Sequence, residues 1–172
     1  AEMFTDFRFV EVYSVDGGFD PLDAALAERT GARATPMLPL NASAGLKDFL
    51  AEFGFDRVDL DAPREHGLTP LMRAALAGRA DVVDELLAAG VDLARRNGDG
   101  NNALWLACVS KDPATLQRLI KAGIDLDNSN DMGSTCLMYA ASSGRAGVAA
   151  LLLEAGADPH IRIFAYAKAV DL

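Results

Sequence analysis

Apolar and small residues recur along the chain with a period of 33 residues. The leucine-type positions of the pattern are Leu71, Leu104, Leu137 and Val170. Glycine, alanine and aspartate positions share the spacing: Gly67, Gly100 and Gly133; Ala74, Ala107 and Ala140; Gly90, Gly123 and Gly156; Asp92, Asp125 and Asp158. A fixed period over most of a chain predicts stacked copies of one small unit, not a single irregular core.

Residues 67–92 show the unit most completely, and their pattern predicts two helices joined by a turn. Thr69 is a suitable cap for the first helix, and Pro70 suits its first position because no amide donor is needed there. Gly78 and Gly90 suit the two helix ends. The second helix, with Asp81 as its predicted cap, carries an apolar stripe at helical spacing, formed by Val82, Val83, Leu86 and Leu87.

This unit resembles the ankyrin repeat, whose Thr-Pro-Leu-His-x-Ala-Ala signature matches residues 69–75 except that Met72 replaces the histidine. Trp105 and Met138 stand at that position in the next two units. The resemblance covers residues 64–172, with units at 64–96, 97–129 and 130–162 and a partial fourth unit at 163–172. It implies an all-α fold, an ankyrin-repeat solenoid of helix–turn–helix units with β-turn fingers.

Residues 1–63 lack the period and are interpreted as an N-terminal extension. Residues 7–15 are strong β-formers closed by a glycine turn, which predicts a short N-terminal β-strand. Residues 20–31 and 46–61 are interpreted as degenerate capping helices, the second ending at Gly54. A lone strand needs a partner for its backbone groups, which this chain, a second copy or another protein could supply. One alternative is a homodimer through the terminal segments.

Charge narrows the range of partners. The chain carries a formal net charge of −9. Nucleic-acid binding normally needs a concentrated basic face, so neither nucleic acid nor an anionic membrane is expected as a partner. No window approaches the run of about 20 apolar residues that a membrane-spanning helix requires.

Cys108 and Cys136 are the only cysteines. Neighbouring units stack at roughly 10 Å, and a five-residue offset along a helix adds about 7.5 Å. The pair is therefore expected to lie beyond the ~7 Å limit for a disulfide. Two free thiols favour a cytoplasmic, reducing compartment. Export stays open as the alternative, because a leader removed upstream of Ala1 would leave no trace.

No residue grouping indicates catalysis. His66 and His160 occupy different positions of the repeat, so they cannot stack as a metal pair. The sequence has no Cys-x-x-Cys, His-Glu-x-x-His or phosphate-binding glycine motif. In the ankyrin family the Asp92, Asp125 and Asp158 row is a structural turn position. We therefore expect no enzymatic activity, no cofactor and no metal site.

The resemblance implies a binding surface instead, because turn tips and exposed first-helix positions of ankyrin arrays form a concave face. When the repeats are aligned with the family, the matching positions of this chain are Glu65, His66, Leu68, Arg73, Leu76, Asp99, Asn101, Leu106, Val109, Asp131, Met132 and Tyr139. Trp105 is a candidate anchor, since tryptophans are frequent hot spots; filling of the helix face is the alternative. Phe164 replaces a turn residue, which predicts either a contact surface or a different local structure.

The sequence therefore predicts a protein–protein interaction module that binds a partner protein through this concave face. The alternative function is a regulatory or immunity-type inhibitor that occludes a partner enzyme.

Overall fold

The computed structural model describes residues 35–110 and 112–162. Its α-helices are α1 Ala44–Glu52, α2 Pro70–Ala77, α3 Ala80–Ala88, α4 Ala103–Val109, α5 Pro113–Lys121, α6 Cys136–Ser142 and α7 Ala146–Glu154. A 3₁₀ turn spans Glu65–Gly67, and no strand occurs within the described ranges. The prediction of an all-α fold is confirmed there. The predicted strand at residues 7–15, the first capping helix and Phe164 lie outside the described residues.

Side-chain caps define where the helices begin. The Thr69 hydroxyl accepts a hydrogen bond from the Met72 amide at 3.3 Å, and Pro70 occupies the first helical position, as predicted. Equivalent caps at α1, α4 and α6 are Ser43, Asn102 and Thr135. Asp81 was the wrong choice of cap for α3: it lies within the first helical turn and pairs with Arg79 at 2.7 Å.

The helices form three hairpin pairs that are stacked in chain order. Helix α2 packs on α4 and α4 on α6, while α3 packs on α5 and α5 on α7. Leu71, Leu104, Leu86, Leu119 and Leu152 are fully buried between them. Each pair buries its apolar side against the next, which is the physical reason that the 33-residue period runs through the core.

Helix α1 precedes the row formed by the second helices of the three pairs, α3, α5 and α7. It packs against α3, and Leu46, Phe49 and Leu50 are buried in the same core. Gly54 follows the helix with a positive φ of 66°, in line with the predicted stop. The Ser43 hydroxyl caps α1 and also donates to the Glu85 carboxylate, which ties the helix to α3.

The two cysteines are free, as predicted, and both are buried. The two side chains nevertheless lie close enough to interact. A hydrogen bond with Cys108, followed by burial, raises the pKa of Cys136. The distance argument ignored side-chain direction: a helical side chain points toward the N-terminus of its own helix, which brings the Cys108 sulfur toward the start of α6.

Candidate partner-binding surface

Backbone hydrogen bonds join the turns that precede α2, α4 and α6. The Gly98 amide donates to the His66 carbonyl at 3.1 Å, and the Asp131 amide donates to the Asp99 carbonyl at 2.9 Å. The turns therefore lie side by side. We call residues 64–68, 97–101 and 130–134 the tip row.

Two asparagines fix the shape of the second and third turns. The Asn97 side-chain oxygen accepts the amides of Asp99 at 3.0 Å and Asn101 at 2.9 Å. Asn130 does the same for Met132 at 3.1 Å and Ser134 at 3.0 Å. The sequence analysis missed both residues, although an identical amide repeated after 33 residues was the available signal.

Arg96 connects the second turn to the third. Its guanidinium donates to the Gly100 carbonyl at 2.8 Å and to the Ser129 carbonyl at 2.7 Å. It also lies 3.7 Å from the Asp131 carboxylate. The charge of Arg96 thus stabilises the turns themselves, and the spacing between the two tips is held by side-chain as well as backbone bonds.

An aromatic pair lies beside the tip row on the first helices. The rings of Trp105 and Tyr139 have centroids 5.3 Å apart and planes inclined by 42°. The Arg145 guanidinium is 5.7 Å from the Tyr139 ring centroid and donates to the Cys108 carbonyl at 2.6 Å. Both rings are half-buried, so each keeps an accessible edge while packing between two repeat units.

The predicted site residues divide by exposure. Exposed residues are Glu65, His66, Asp99, Asp131 and Met132. Half-buried residues are Leu68, Arg73, Leu76, Trp105, Val109 and Tyr139. Leu106 and Asn101 are only 8% and 7% exposed, so the prediction that they are accessible is wrong. Leu106 lies on α4, which is covered by α2 on one side and α6 on the other, whereas Asn101 lies in the turn before that helix. Phe164 is outside the described residues.

The aspartate row has the structural role that the family resemblance implied. Asp92, Asp125 and Asp158 each accept, through a carboxylate oxygen, the amide two residues further on. The three distances are 3.0, 3.0 and 2.8 Å. These are turn-forming bonds, which confirms that the row shapes the connection after each second helix.

Outside the tip row, a shallow groove lies between α3 and α5. It is lined by Asp84, Leu87, Arg118, Lys121 and Ala122. The Asp84 and Arg118 side chains pair across it at 2.7 Å.

Among residues 35–110 and 112–162, no three histidine, cysteine or acidic side chains are grouped as a metal site. No helix in those ranges is long and apolar enough to cross a bilayer.

Comparison with known proteins gives one family match. A family model described as ankyrin repeats, in three copies, matches residues 71–163. The matched range includes all of α3 to α7 and all but the first residue of α2. No curated protein matches the chain.

Proposed function

Because the chain belongs to the ankyrin-repeat family, whose members are typically non-enzymatic modules for protein–protein interaction, we propose that it binds a partner protein through the concave face of a repeat solenoid. That solenoid consists of residues 64–172, with residues 1–63 as an N-terminal extension. The binding face combines the tip row with the accessible edges of the first helices, and its proposed centre is Met132, Trp105 and Tyr139.

The exposure of Met132 is the observation that carries this proposal. Its side chain is 74% exposed although it is large and apolar. The backbone beneath it is fixed, because Asn130 binds the Met132 amide and Asp99 binds the neighbouring Asp131 amide. A flexible thioether on a rigid turn adapts to varied apolar surfaces, and methionine is enriched at protein interfaces.

Neighbouring side chains extend the apolar contact. Trp105 and Tyr139 present large rings that lose little conformational entropy on binding, because they are already packed against each other. Leu76 and Val109 stand at equivalent positions of α2 and α4 and are half-buried. Glu65 and Asp99 add exposed carboxylates at the tips. The face therefore suits a partner with an apolar centre and polar or basic groups at its rim.

Two surface variants test the proposal by capture from a lysate of the native host. Met132→Asp and Tyr139→Asp should lose the proteins that the wild-type chain retains, because each places a carboxylate in the apolar contact. Gln117→Asp, on an exposed position of α5, is the matched control and should retain them. Circular dichroism melts of Met132→Asp and Gln117→Asp should agree with that of the wild type. Tyr139→Asp also loses the ring contact with Trp105 and should melt earlier, so capture is measured below its melting temperature. Unchanged capture by both Met132→Asp and Tyr139→Asp contradicts the proposal.

The alternative function is inhibition, in which the partner bound by the same face is an enzyme and binding blocks its activity. The retained protein would then be an enzyme whose turnover falls on titration with the wild-type chain and recovers with Tyr139→Asp. Retention without any change in the activity of the retained protein favours a scaffold instead.

A further inference from the structure

The second turn of the tip row contains the only asparagine–glycine dipeptide of the chain, Asn97–Gly98. Asparagine is a chemically labile residue, and it loses its carboxamide most readily before glycine. Glycine has no side chain to obstruct attack by its own backbone nitrogen on the preceding carboxamide. Asn97 is half-buried and Gly98 is exposed, so water reaches this turn. The dipeptide is therefore suited to a covalent change that needs no enzyme.

The folded structure occupies both reacting groups of this dipeptide. The Gly98 nitrogen is the nucleophile, and its N–H donates to the His66 carbonyl of the first turn at 3.1 Å. The Asn97 carboxamide is the electrophile, and its oxygen accepts the amides of Asp99 at 3.0 Å and Asn101 at 2.9 Å. A hydrogen-bonded amide loses its proton only after the bond opens, as in hydrogen exchange. Contact between the first and second turns therefore protects the dipeptide.

We propose that Asn97–Gly98 is a latent deamidation site, which the first turn protects and which reacts once the first and second turns separate. The Gly98 nitrogen then loses its proton to a solvent base and forms a bond to the Asn97 Cγ. The Cγ–Nδ2 bond breaks, and Nδ2 takes a proton from water and leaves as ammonia. The resulting five-membered imide is opened by water at either carbonyl, which gives aspartate or isoaspartate at position 97.

The two products differ in their effect on the tip row. Aspartate at position 97 keeps an oxygen that can accept the Asp99 and Asn101 amides. Isoaspartate runs the main chain through Cγ and adds one carbon to it, so the Gly98 amide no longer returns to the His66 carbonyl with the same geometry. Formation of isoaspartate thus makes the separation of the two turns permanent. The proposal does not depend on the proposed function of the chain.

Asn130 supplies an internal control for the chemistry. It holds the third turn with the same two bonds, to the amides of Met132 at 3.1 Å and Ser134 at 3.0 Å. The residue that follows it is Asp131, whose side chain obstructs attack by its nitrogen. Asn130 should therefore stay intact under conditions in which Asn97 reacts.

Prolonged incubation of the full chain at neutral pH, followed by mass spectrometry of its peptides, measures the protection. In guanidinium chloride, Asn97 should deamidate at least about tenfold faster than in the folded chain, which corresponds to a local opening free energy of about 1.4 kcal/mol or more. Equal rates in the two states overturn the proposal, as does an Asn97 that stays intact in the denatured chain.

Gly67→Ala tests the role of the first turn in the folded chain. Its Cβ would lie 2.8 Å from the Gly98 nitrogen, whereas the control Gly54→Ala shares the positive φ and meets nothing within 4 Å. The unfolded fraction from urea denaturation, multiplied by the rate in denaturant, gives the part of the reaction due to global unfolding. The rate at Asn97 in Gly67→Ala should exceed that part at least about tenfold, and Gly54→Ala should match the wild type. A Gly67→Ala rate that global unfolding explains in full, or equal rates in the two variants, would contradict protection by the first turn.

Discussion

The Trp105 ring of α4 packs against the Tyr139 ring of α6, with ring centroids 5.3 Å apart. Trp105 stands where the ankyrin signature has its histidine, so an aromatic contact between units occupies a place that the family fills with a polar side chain. The contact accounts for the packing role of Trp105. It also leaves both rings half-buried at the edge of the proposed binding face.

A double-mutant cycle measures this contact. Trp105→Leu and Tyr139→Leu should each lower the free energy of unfolding, and the coupling between them should be about 0.5–1.5 kcal/mol, the usual range for aromatic pairs. Urea denaturation gives the four values. Trp105→Leu combined with Val58→Ala, an exposed residue outside the helices, should be additive. Additivity of the two aromatic substitutions would show that the rings do not stabilise the repeat contact.

Glycine substitutions test whether the tip row is held by close backbone approach. Gly67 and Gly54 both have positive φ, at 73° and 66°. A Cβ on Gly67 would lie 2.8 Å from the Gly98 nitrogen, whereas one on Gly54 would meet nothing within 4 Å. Both alanine variants incur roughly 1–2 kcal/mol for the left-handed conformation. Gly67→Ala should lose at least about 1 kcal/mol more in urea denaturation, since it must displace backbone. Equal losses would contradict the stacking of the turns.

The Arg79–Asp81 ion pair should make a small contribution to the free energy of unfolding, and this contribution should be lost in acid. A hydrogen bond from Arg79 lowers the pKa of Asp81 to about 2. Because the folded-state pKa lies below the unfolded value of about 3.9, the stabilisation is complete above that value and is lost as pH falls toward 2. The side chains are 40% and 62% exposed, so solvent screening limits the effect to less than about 1 kcal/mol.

Asp81→Asn and Arg79→Gln should therefore show the same pH profile. Each should lower the free energy of unfolding at pH 7, and the difference from wild type should shrink between about pH 4 and pH 2. Added salt should reduce the difference at neutral pH, because the pair is exposed. Urea denaturation across this pH series is the measurement. If the difference from wild type persists unchanged down to pH 2, it arises from packing and not from the ion pair.

The buried thiols should be unreactive in the folded protein. Cys108 and Cys136 are both shielded from solvent, and contact between them together with burial raises the pKa of Cys136. The thiolate is the reactive form, so an aromatic disulfide reagent at pH 8 should react slowly with the native chain and fully after denaturation. The exposed thiol of a Gln117→Cys variant should react at once and serves as the control. Rapid reaction of the native thiols would refute their placement.

Local chemistry in the sequence was sufficient to predict most of the helices. Thr69 and Pro70 define the start of α2 by capping rules that depend on neighbouring residues alone, and the 33-residue period assigns the same start to α4 and α6. Leu106 was predicted as accessible because the period equates it with Arg73 and Tyr139. The period does not indicate that α4 is covered on both sides, which is a property of the stack.

Contacts between units were harder to predict than the units themselves. The thiol contact of Cys108 with Cys136 depends on the direction of side chains from two stacked helices, which linear spacing does not describe. The bonds from Asn97 and Asn130 to their turns are local, and the repeated asparagine could have revealed them. The hydrogen bond between the Asp131 amide and the Asp99 carbonyl needs the stacked structure, because it joins separate units.

Site-specific photo-cross-linking tests the proposed binding face most directly. A photoreactive amino acid is placed at position 132, 139 or 117 in separate chains, which are irradiated in the native host. Positions 132 and 139 should give a covalent adduct with the same host protein, and the exposed position 117 on α5 should give none. An adduct at position 117 with none at positions 132 and 139 would contradict binding through the tip row and the first helices.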